Sequence, residues 1–484
     1  MKCTLATVIA ALLAVAAPAA FGIDETASPS ASSALTPYQW HQQQLVAFRE
    51  SERVYQQALQ LDGLLAQLES MQQAYRSSRD RAFRIVFGQY LSWYQSFVGD
   101  YPAAMATYSI REVAASGDAP SPLTGGYAAK PAVDAIVALA RGQKAVFFNE
   151  AHNIPLTRTV TLEALAKLRA EGFNTFAAET LYDSDQSLQK RGYPIDGSGF
   201  YTEEPICAEL VRTALKLGFK VVAYESDQPG NGDVREYAQA KNLYERVFKN
   251  DPAARLVVDA GYAHIQERGR YLGGRSMAQH FRDLTHIDPL TIEQTMLIEH
   301  PAGGENHPYY RQIIDALKPA QPIVFIGKDG KPWSLKPGAY DASVVFPPDV
   351  LEDGRPTWLT IGGLRVPYTV TADLCNKAFP CLVEARYADE SDKAIPADRL
   401  VLRIAPSGAP LEERIVQGPV TVKSELYLRP GQYTLTARDS GNRLLSRQAV
   451  TVAASGTTAS PPAAAPASAV ATPASPASKE GKPR

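Results

Sequence analysis

Short apolar segments alternate with helical patterns between about residues 131 and 330, and this alternation limits the fold more than any other feature of the chain. The segments read KAVFFNE, NTFAAET, FKVVAYES, RLVVDAGYAH, TMLIEH and QPIVFIG. They lack the strict apolar–polar alternation of strands with one solvated face, so helices are expected on both faces. Strands joined through helices run parallel in one sheet. The sequence therefore predicts an α/β fold with a mainly parallel sheet between helices.

Most of these segments end on a carboxylate or an imidazole. The side chains at or just beyond the ends are Glu150, His152, Glu179, Glu225, Asp227, His264, Glu299 and His300. The loops that follow parallel strands meet in one crevice, and open α/β sheets bind their ligands there. Carboxylates and imidazoles gathered in such a crevice can transfer protons or bind a metal ion. These residue types at these positions predict an active site.

Glu150 and His152 are the first candidates within this site, because alternate residues of an extended chain share a face. With a divalent transition metal, their carboxylate and neutral imidazole would serve as ligands. Without a metal, the imidazole would be a general base and the carboxylate would orient it. Glu179 and His264, on other strand ends, would complete a cluster of two glutamates and two histidines. Both alternatives, metal-assisted and metal-free, remain open from the residues alone.

The first 22 residues have the features of a signal peptide. Lys2 precedes an apolar run over Leu5–Ala17, and small residues precede a cleavage site before Ile23. The run is shorter than the roughly 20 residues that a membrane-spanning helix needs. We expect an exported protein, periplasmic or secreted, with no transmembrane span in the mature chain. A linker rich in Ser, Ala and Pro is expected over residues 23–37.

Three further regions surround the α/β unit, which is expected over residues 131–350. Residues 38–130 place apolar and aromatic side chains at helical spacing, which predicts an antiparallel helical pair that covers part of the molecule. Residues 351–454 contain short β-rich runs separated by turn residues, which predicts a β-sandwich-like domain. Residues 455–484 consist largely of Pro, Ala and Ser and are expected to be disordered.

Charge and cysteine content exclude several classes of function. The chain has 49 Lys and Arg against 51 Asp and Glu, so no basic face for nucleic acid is expected. It contains no CxxC pair, no GxSxG elbow and no HExxH motif. Cys375 and Cys381 are close enough in sequence to form a disulfide, with two free thiols as the alternative. Cys207 lies on the apolar face of a predicted helix and is expected to be a core thiol.

The segments FFNEAHNIPLTR, FAAETL and VVDAGYAH resemble the three signature blocks of the erythromycin esterase, ChaN-like and Tiki superfamily. The resemblance covers roughly residues 131–330. It implies functional positions at Glu150, His152, Glu179 and His264. Arg158 matches, more loosely, an arginine that follows the first block in the esterases. Asn149 stands where many members have Gly, and Asn also tolerates a left-handed backbone.

Members of this superfamily differ in function, so the resemblance leaves the reaction open. Tiki-like members are metal-dependent proteases, the esterases open macrolactones with activated water, and ChaN-like members bind haem. The first hypothesis is an exported hydrolase that acts on an ester or peptide bond of a small-molecule or peptide substrate. The alternatives are a haem-binding protein, with Tyr262 or Tyr182 as a ligand to iron, and a non-catalytic scaffold.

Overall fold

The structure is a computed structural model that describes residues 36–226, 232–403 and 423–454. The predicted signal peptide (1–22), the predicted disordered tail (455–484) and Asp227 lie outside the described residues. Within the described ranges, no helix combines the length and the apolar character needed to cross a membrane.

The N-terminal region is helical, as predicted. Its helices are α1 (Pro37–Ala58), α2 (Leu64–Ser77), α3 (Arg81–Phe97) and α4 (Tyr101–Thr107). Thr36 and Gln39 form a capping box that fixes the start of α1, inside the predicted linker. Gly63, with φ +88°, separates α1 from α2. The region predicted as an antiparallel pair of helices therefore contains four helices. Helix α3 is buried along almost its whole length.

A six-stranded parallel sheet forms the centre of the molecule. The strands of this region are β1 (Ala128–Pro131), β2 (Ala145–Glu150), β3 (Thr175–Ala178), β4 (Lys220–Ala223), β5 (Leu256–Gly261), β6 (Leu290–Glu293), β7 (Ile323–Ile326) and β8 (Ala342–Ser343). The parallel sheet has the order β4–β3–β5–β2–β6–β8, while β1 and β7 form a separate antiparallel pair. The predicted α/β fold with a mainly parallel sheet is confirmed.

Helices cover both faces of this sheet. They are α5 (Ala132–Ala140), α6 (Leu156–Ala170), α7 (Leu188–Arg191), α8 (Pro205–Lys216), α9 (Asp233–Leu243), α10 (Met277–Thr285) and α11 (Pro308–Leu317). In β2, Val146 and Phe148 pack in the core that includes α6 and α8, whereas Phe147 packs in the core that includes α9 and α10. Apolar side chains on both faces explain why the strands lack strict alternation.

Two strand predictions were wrong in position. The segment TMLIEH (295–300) follows β6, which ends at Glu293, and does not form a strand. The Glu293 carboxylate accepts hydrogen bonds from the backbone N–H groups of Thr295 and Met296 and so turns the chain out of the sheet. The segment QPIVFIG supplies β7, which pairs with β1. The sixth strand of the parallel sheet is β8.

The C-terminal region consists of antiparallel strands, as predicted. They are β9 (Leu351–Glu352), β10 (Arg355–Pro356), β11 (Val366–Thr371), β12 (Cys381–Tyr387), β13 (Asp398–Leu402), β14 (Lys423–Leu428), β15 (Gly431–Asp439) and β16 (Leu444–Val452). A four-stranded sheet in the order β13–β12–β15–β16 shares a core with the β11–β14 pair. Cys375 and Cys381 form a disulfide beside this core, and Cys207 is a buried free thiol in α8.

Candidate active site

The Glu150–His152 pair lies at the carboxyl end of β2. Nδ1 of His152 is 2.6 Å from Oε1 of Glu150, a hydrogen bond between two buried side chains. The hydrogen bond occupies Nδ1 of the ring and leaves Nε2 on the side that faces away from Glu150. A carboxylate that accepts from Nδ1 favours the imidazole tautomer with its lone pair on Nε2. The pair therefore presents a basic nitrogen at the end of the strand.

Arg158 fixes the other oxygen of Glu150. Its guanidinium, fully buried in the first turn of α6, is 2.9 Å from Oε2 of Glu150 and 3.5 Å from Oε2 of Glu204. Burial alone would raise the pKa of Glu150, but Arg158 and His152 hold this pKa below its usual value. Glu150 is therefore a carboxylate at neutral pH, and His152 faces a fixed negative charge.

A second acidic group lies next to the first. The Glu179 carboxylate, directly after β3, accepts a 2.6 Å hydrogen bond from Arg235 and lies 3.3 Å from Nε2 of His264. Nδ1 of His264 is bound to Glu236 at 2.8 Å. Arg235 also binds Glu225, which follows β4. The ends of β3, β4 and β5 are thus joined by one network of charged side chains.

Gly261, the last residue of β5, lies where the two acidic groups approach each other. Its N–H donates to Oε2 of Glu179 at 2.6 Å. A Cβ at this position would lie 2.6 Å from Nε2 of His152 and 3.1 Å from Oε2 of Glu179. Both side chains therefore contact the bare Cα of this glycine, and the four predicted residues Glu150, His152, Glu179 and His264 form one cluster.

The Gly261→Ala substitution is expected to displace the His152 ring, because the new methyl group would also lie 2.2 Å from Cε1 of that ring. Overpacking of this kind costs about 1–3 kcal/mol, which urea unfolding of the variant would measure. Gly117→Ala is the matched control, since a Cβ there meets no atom within 4 Å. Equal free energies of unfolding for both variants and the wild type would contradict this prediction.

The charge on His264 is controlled by two glutamates. Burial alone would lower the pKa of His264, but Glu179 and Glu236 outweigh it and raise this pKa to about 10. Burial would raise the pKa of Glu179, whereas His264 and Arg235 hold it well below its usual value. His264 is therefore an imidazolium at neutral pH, held between two carboxylates.

This charge predicts how stability depends on pH. The folded-state pKa of His264 lies above the unfolded value of about 6.5, so the protonated ring stabilises the fold fully below that pH. The stabilisation is lost as pH rises from about 6.5 through about 10. The free-energy difference between the wild type and His264→Gln, measured by chemical unfolding, is expected to shrink over this window. A difference that stays constant would show that His264 is neutral.

Two tyrosine rings cover His152. The Tyr201 ring is stacked on the imidazole at 3.9 Å between centroids, and the Tyr262 ring meets it edge-on at 5.1 Å. Trp93 of α3 packs against Tyr201 from outside, and Arg399 of β13 holds the adjoining Glu203 at 2.8 Å. The exposed fraction of His152 is only 3%. The cluster is therefore enclosed and does not lie in an open crevice.

The remaining predicted residues have other places. Glu299 accepts a hydrogen bond from the backbone N–H of Asp349, and His300 is bound to Ser109, so neither joins the cluster. They miss it because the segment that carries them is not a strand. Asn149 does not adopt a left-handed backbone. Its side chain instead binds the backbone of Tyr262 and Gln294, which ties together the ends of β2, β5 and β6.

Several residues of the site were not predicted from the sequence. They are Arg235, Glu236, Glu204, Tyr201 and Gly261. Arg235 and Glu236 occur in GDVREYA, a charged first turn of a helix that follows a strand end, and this position was the one available signal. Tyr201 lies in a short turn that no periodic pattern marks. Arg235 and Glu236 reach the site through the packing of α9, and Tyr201 is held there by Trp93 of α3.

The donor set does not fit a metal ion. Oxygens of Glu150 and Glu179 already face the cations Arg158 and Arg235. Both ring nitrogens of His264 already face carboxylates, Nδ1 at Glu236 and Nε2 at Glu179. Across the described parts of the chain, no group of three or more His, Cys, Asp or Glu side chains is arranged to hold a metal. No step of the chemistry is therefore assigned to a metal.

A porphyrin does not fit the pocket beside Tyr262, one of the two tyrosines that the sequence suggests as ligands. Tyr262 lines a pocket with an empty volume of about 320 Å³, which is smaller than a porphyrin requires. Burial raises the pKa of Tyr262 well above its usual value. Tyr182, the other tyrosine that the sequence suggests as a ligand, is 37% exposed and does not line this pocket.

Comparisons with known proteins give only distant likenesses. No family model matches the chain, and no curated protein matches it. The solved structures that resemble it include the type III effector HopBA1, at 16% identity over 38% of this chain and 96% of that one, with a TM-score of 0.24. RRSP, a MARTX toxin effector domain from Vibrio vulnificus CMCP6, matches at 12% identity over 59% of this chain and 69% of its own, with a TM-score of 0.27.

A structure described as bacterial protein toxins matches at 14% identity over 47% of this chain, with a TM-score of 0.28. The match spans 52% of that chain, about half its length. Likenesses at these identities and TM-scores carry no argument about the function of this protein, which must therefore be inferred from its own residues.

Proposed function

We propose that this protein is an exported hydrolase, in which His152 activates water to cleave an ester or peptide bond of a small-molecule or peptide substrate. One observation carries the proposal. Glu150 binds Nδ1 of His152 at 2.6 Å, while Nε2 lies against Gly261 and beside Glu179. The resemblance of three sequence segments to the esterase and Tiki superfamily supports the same assignment.

The residues divide the chemistry as follows. Nε2 of His152 takes a proton from water as the water oxygen bonds to the carbonyl carbon. Glu150 stabilises the resulting imidazolium, and Arg158 keeps Glu150 ionised. The proton then passes from Nε2 to the leaving group as the carbonyl–leaving-group bond breaks. Arg235 and the His264 imidazolium keep the neighbouring Glu179 ionised, so a second carboxylate lies beside Nε2.

Access to Nε2 requires a change in the aromatic cover. Because His152 is 3% exposed and lies under Tyr201 and Tyr262, a substrate reaches it only when one of these rings turns aside. Tyr201 is packed against Trp93, whereas Tyr262 borders an empty pocket. Tyr262 is therefore the ring that we expect to turn aside.

The test is hydrolysis of a panel of chromogenic esters and peptides by wild type, His152→Asn and His286→Asn proteins. His286 is exposed and has φ +56°, a backbone that Asn tolerates well, so it provides a matched histidine control. The wild type and the control are expected to cleave at least one substrate, with or without a metal chelator, and His152→Asn to lose this activity. Equal activity of all three proteins on every substrate would exclude the proposal.

A further inference from the structure

Tyr201 carries a hydroxyl group that makes no hydrogen bond with any residue that the structure describes. The residue is 4% exposed, and its Oη atom is buried. A buried hydroxyl without a partner costs free energy, and such groups are uncommon in native proteins. A phenylalanine ring would fill the same space without this cost. The oxygen is therefore explained better by function than by stability.

The hydroxyl belongs to the ring that lies on the candidate general base. The Tyr201 ring is stacked on the imidazole of His152, with 3.9 Å between the centroids and 12° between the planes. Because the rings lie face to face, the Tyr201 hydroxyl lies within one ring length of the imidazole. A carbonyl group attacked by water beside Nε2 of His152 is therefore within reach of this hydroxyl.

The ring is held in place before any substrate binds. The backbone N–H of Tyr201 donates to Oγ1 of Thr180 at 2.8 Å, and Thr180 directly follows Glu179. The rings of Trp93 and Phe200 pack edge-on against Tyr201, with centroids 5.7 and 5.0 Å away. A donor that is fixed in advance needs no rearrangement when charge develops beside it, and this makes it effective in catalysis.

The hydroxyl keeps its proton at neutral pH. Burial, together with the charges of Glu179 and Glu150, raises the pKa of Tyr201 well above its usual value. Neither carboxylate accepts a hydrogen bond from the hydroxyl, and both are already bound to other donors. Tyr201 is therefore a free donor beside the site and not a base.

Hydrolysis of an ester or peptide bond makes the carbonyl oxygen negative. As the water oxygen bonds to the carbonyl carbon, the carbonyl electron pair moves onto its oxygen, and enzymes stabilise this charge with a hydrogen-bond donor. The ionised Glu150 and Glu179 would repel it.

We propose that the hydroxyl of Tyr201 donates a hydrogen bond to this oxygen, which makes Tyr201 a further catalytic residue. The assignment rests on the proposed function. The phenol keeps its proton throughout. Its hydrogen bond weakens when the leaving group departs with its electron pair and the carbonyl double bond re-forms.

The first test compares Tyr201→Phe with the wild type on the best substrate of the ester and peptide panel. We expect kcat to fall by about 10²–10³-fold with little change in KM, as for removal of one donor to an oxyanion. Because the variant lacks only an unpartnered oxygen, it is expected to unfold at the same urea concentration as the wild type or a higher one. A wild-type kcat, or a lower urea midpoint, would overturn the proposal.

Tyr310→Phe is the matched control for the loss of a buried hydroxyl. Tyr310 is 2% exposed, and its hydroxyl also lacks a hydrogen-bond partner in the described ranges. It lies in a separate hydrophobic core with Leu297 and Trp333. This variant is expected to keep the wild-type kcat. Equal losses of kcat in the two variants would count against a specific role of Tyr201.

A probe that is not hydrolysed separates this inference from the proposed function. Methylboronic acid binds a water oxygen at boron as Nε2 of His152 takes the proton, and the tetrahedral anion imitates the attacked carbonyl. Calorimetry is expected to show binding to the wild type that Tyr201→Phe weakens at least about tenfold. Equal affinities, or no binding to the wild type up to roughly 100 mM, would overturn the proposal. Weakened binding without cleavage of any ester or peptide would reject hydrolysis but support Tyr201 as the donor.

Discussion

The His152→Asn variant is expected to lower kcat for any hydrolysed substrate by about 10²–10⁴-fold, the range typical for loss of a general base. Asn cannot accept and return a proton, so water attack would lose its base while the enclosed site stays in place. The measurement is kcat and KM for the best substrate in the panel, together with thermal unfolding to establish that the variant is folded.

The same experiment includes the partner carboxylate. Glu150→Gln leaves His152 in place but replaces the charge that stabilises its imidazolium, so kcat is expected to fall while KM changes little. A folded His152→Asn protein with wild-type kcat would show that Nε2 is not the base. His286→Asn, on the surface, is the control for the histidine-to-asparagine change.

The Arg158→Met variant is expected to be less stable than the wild type by about 3–5 kcal/mol, the usual cost of removing one partner from a buried ion pair. Arg158 has no exposed surface, and it faces both Glu150 and Glu204 inside the protein. Its removal leaves two buried carboxyl groups without their cation. Urea unfolding of the wild type and the variant measures the loss.

The matched control is Arg141→Met. Arg141 pairs with Glu171 at 3.1 Å, but its side chain is 68% exposed. Exposed ion pairs contribute at most about 1 kcal/mol, so this variant is expected to unfold nearly as the wild type does. Similar losses for the two variants would mean that Arg158 acts as an ordinary surface arginine. Recovery of stability in the Arg158→Met, Glu150→Gln double variant would identify the unpaired Glu150 charge as one cause.

The central cluster was predictable because strand periodicity and sheet geometry together determine it. The apolar runs that lead to Glu150, Glu179 and His264 are strands in one parallel sheet, and such strands present their carboxyl ends at one edge. The prediction failed at Glu299 and His300, because a short apolar run has the same composition in a strand and in a buried loop.

The cations of the cluster were less accessible to sequence reasoning. Arg158 was suggested only by resemblance, and Arg235 not at all. Both lie near the start of a helix, where the face that turns inward depends on how the helix packs against the sheet. A local sequence pattern does not specify the angle at which the helix packs on the sheet. The two arginines face the carboxylate oxygens that a metal ligand set would use, and only the three-dimensional arrangement shows these contacts.

The position of Tyr201 has a consequence for the evolution of the chain. Its ring lies on His152 in the α/β unit, is packed by Trp93 from the N-terminal helices, and is followed by Glu203, which the C-terminal Arg399 holds. Three regions far apart in sequence therefore determine where one ring lies. Recombination that exchanged any one region for a foreign module would disturb the imidazole beneath that ring. Selection is expected to transmit the three regions together, as a single heritable unit.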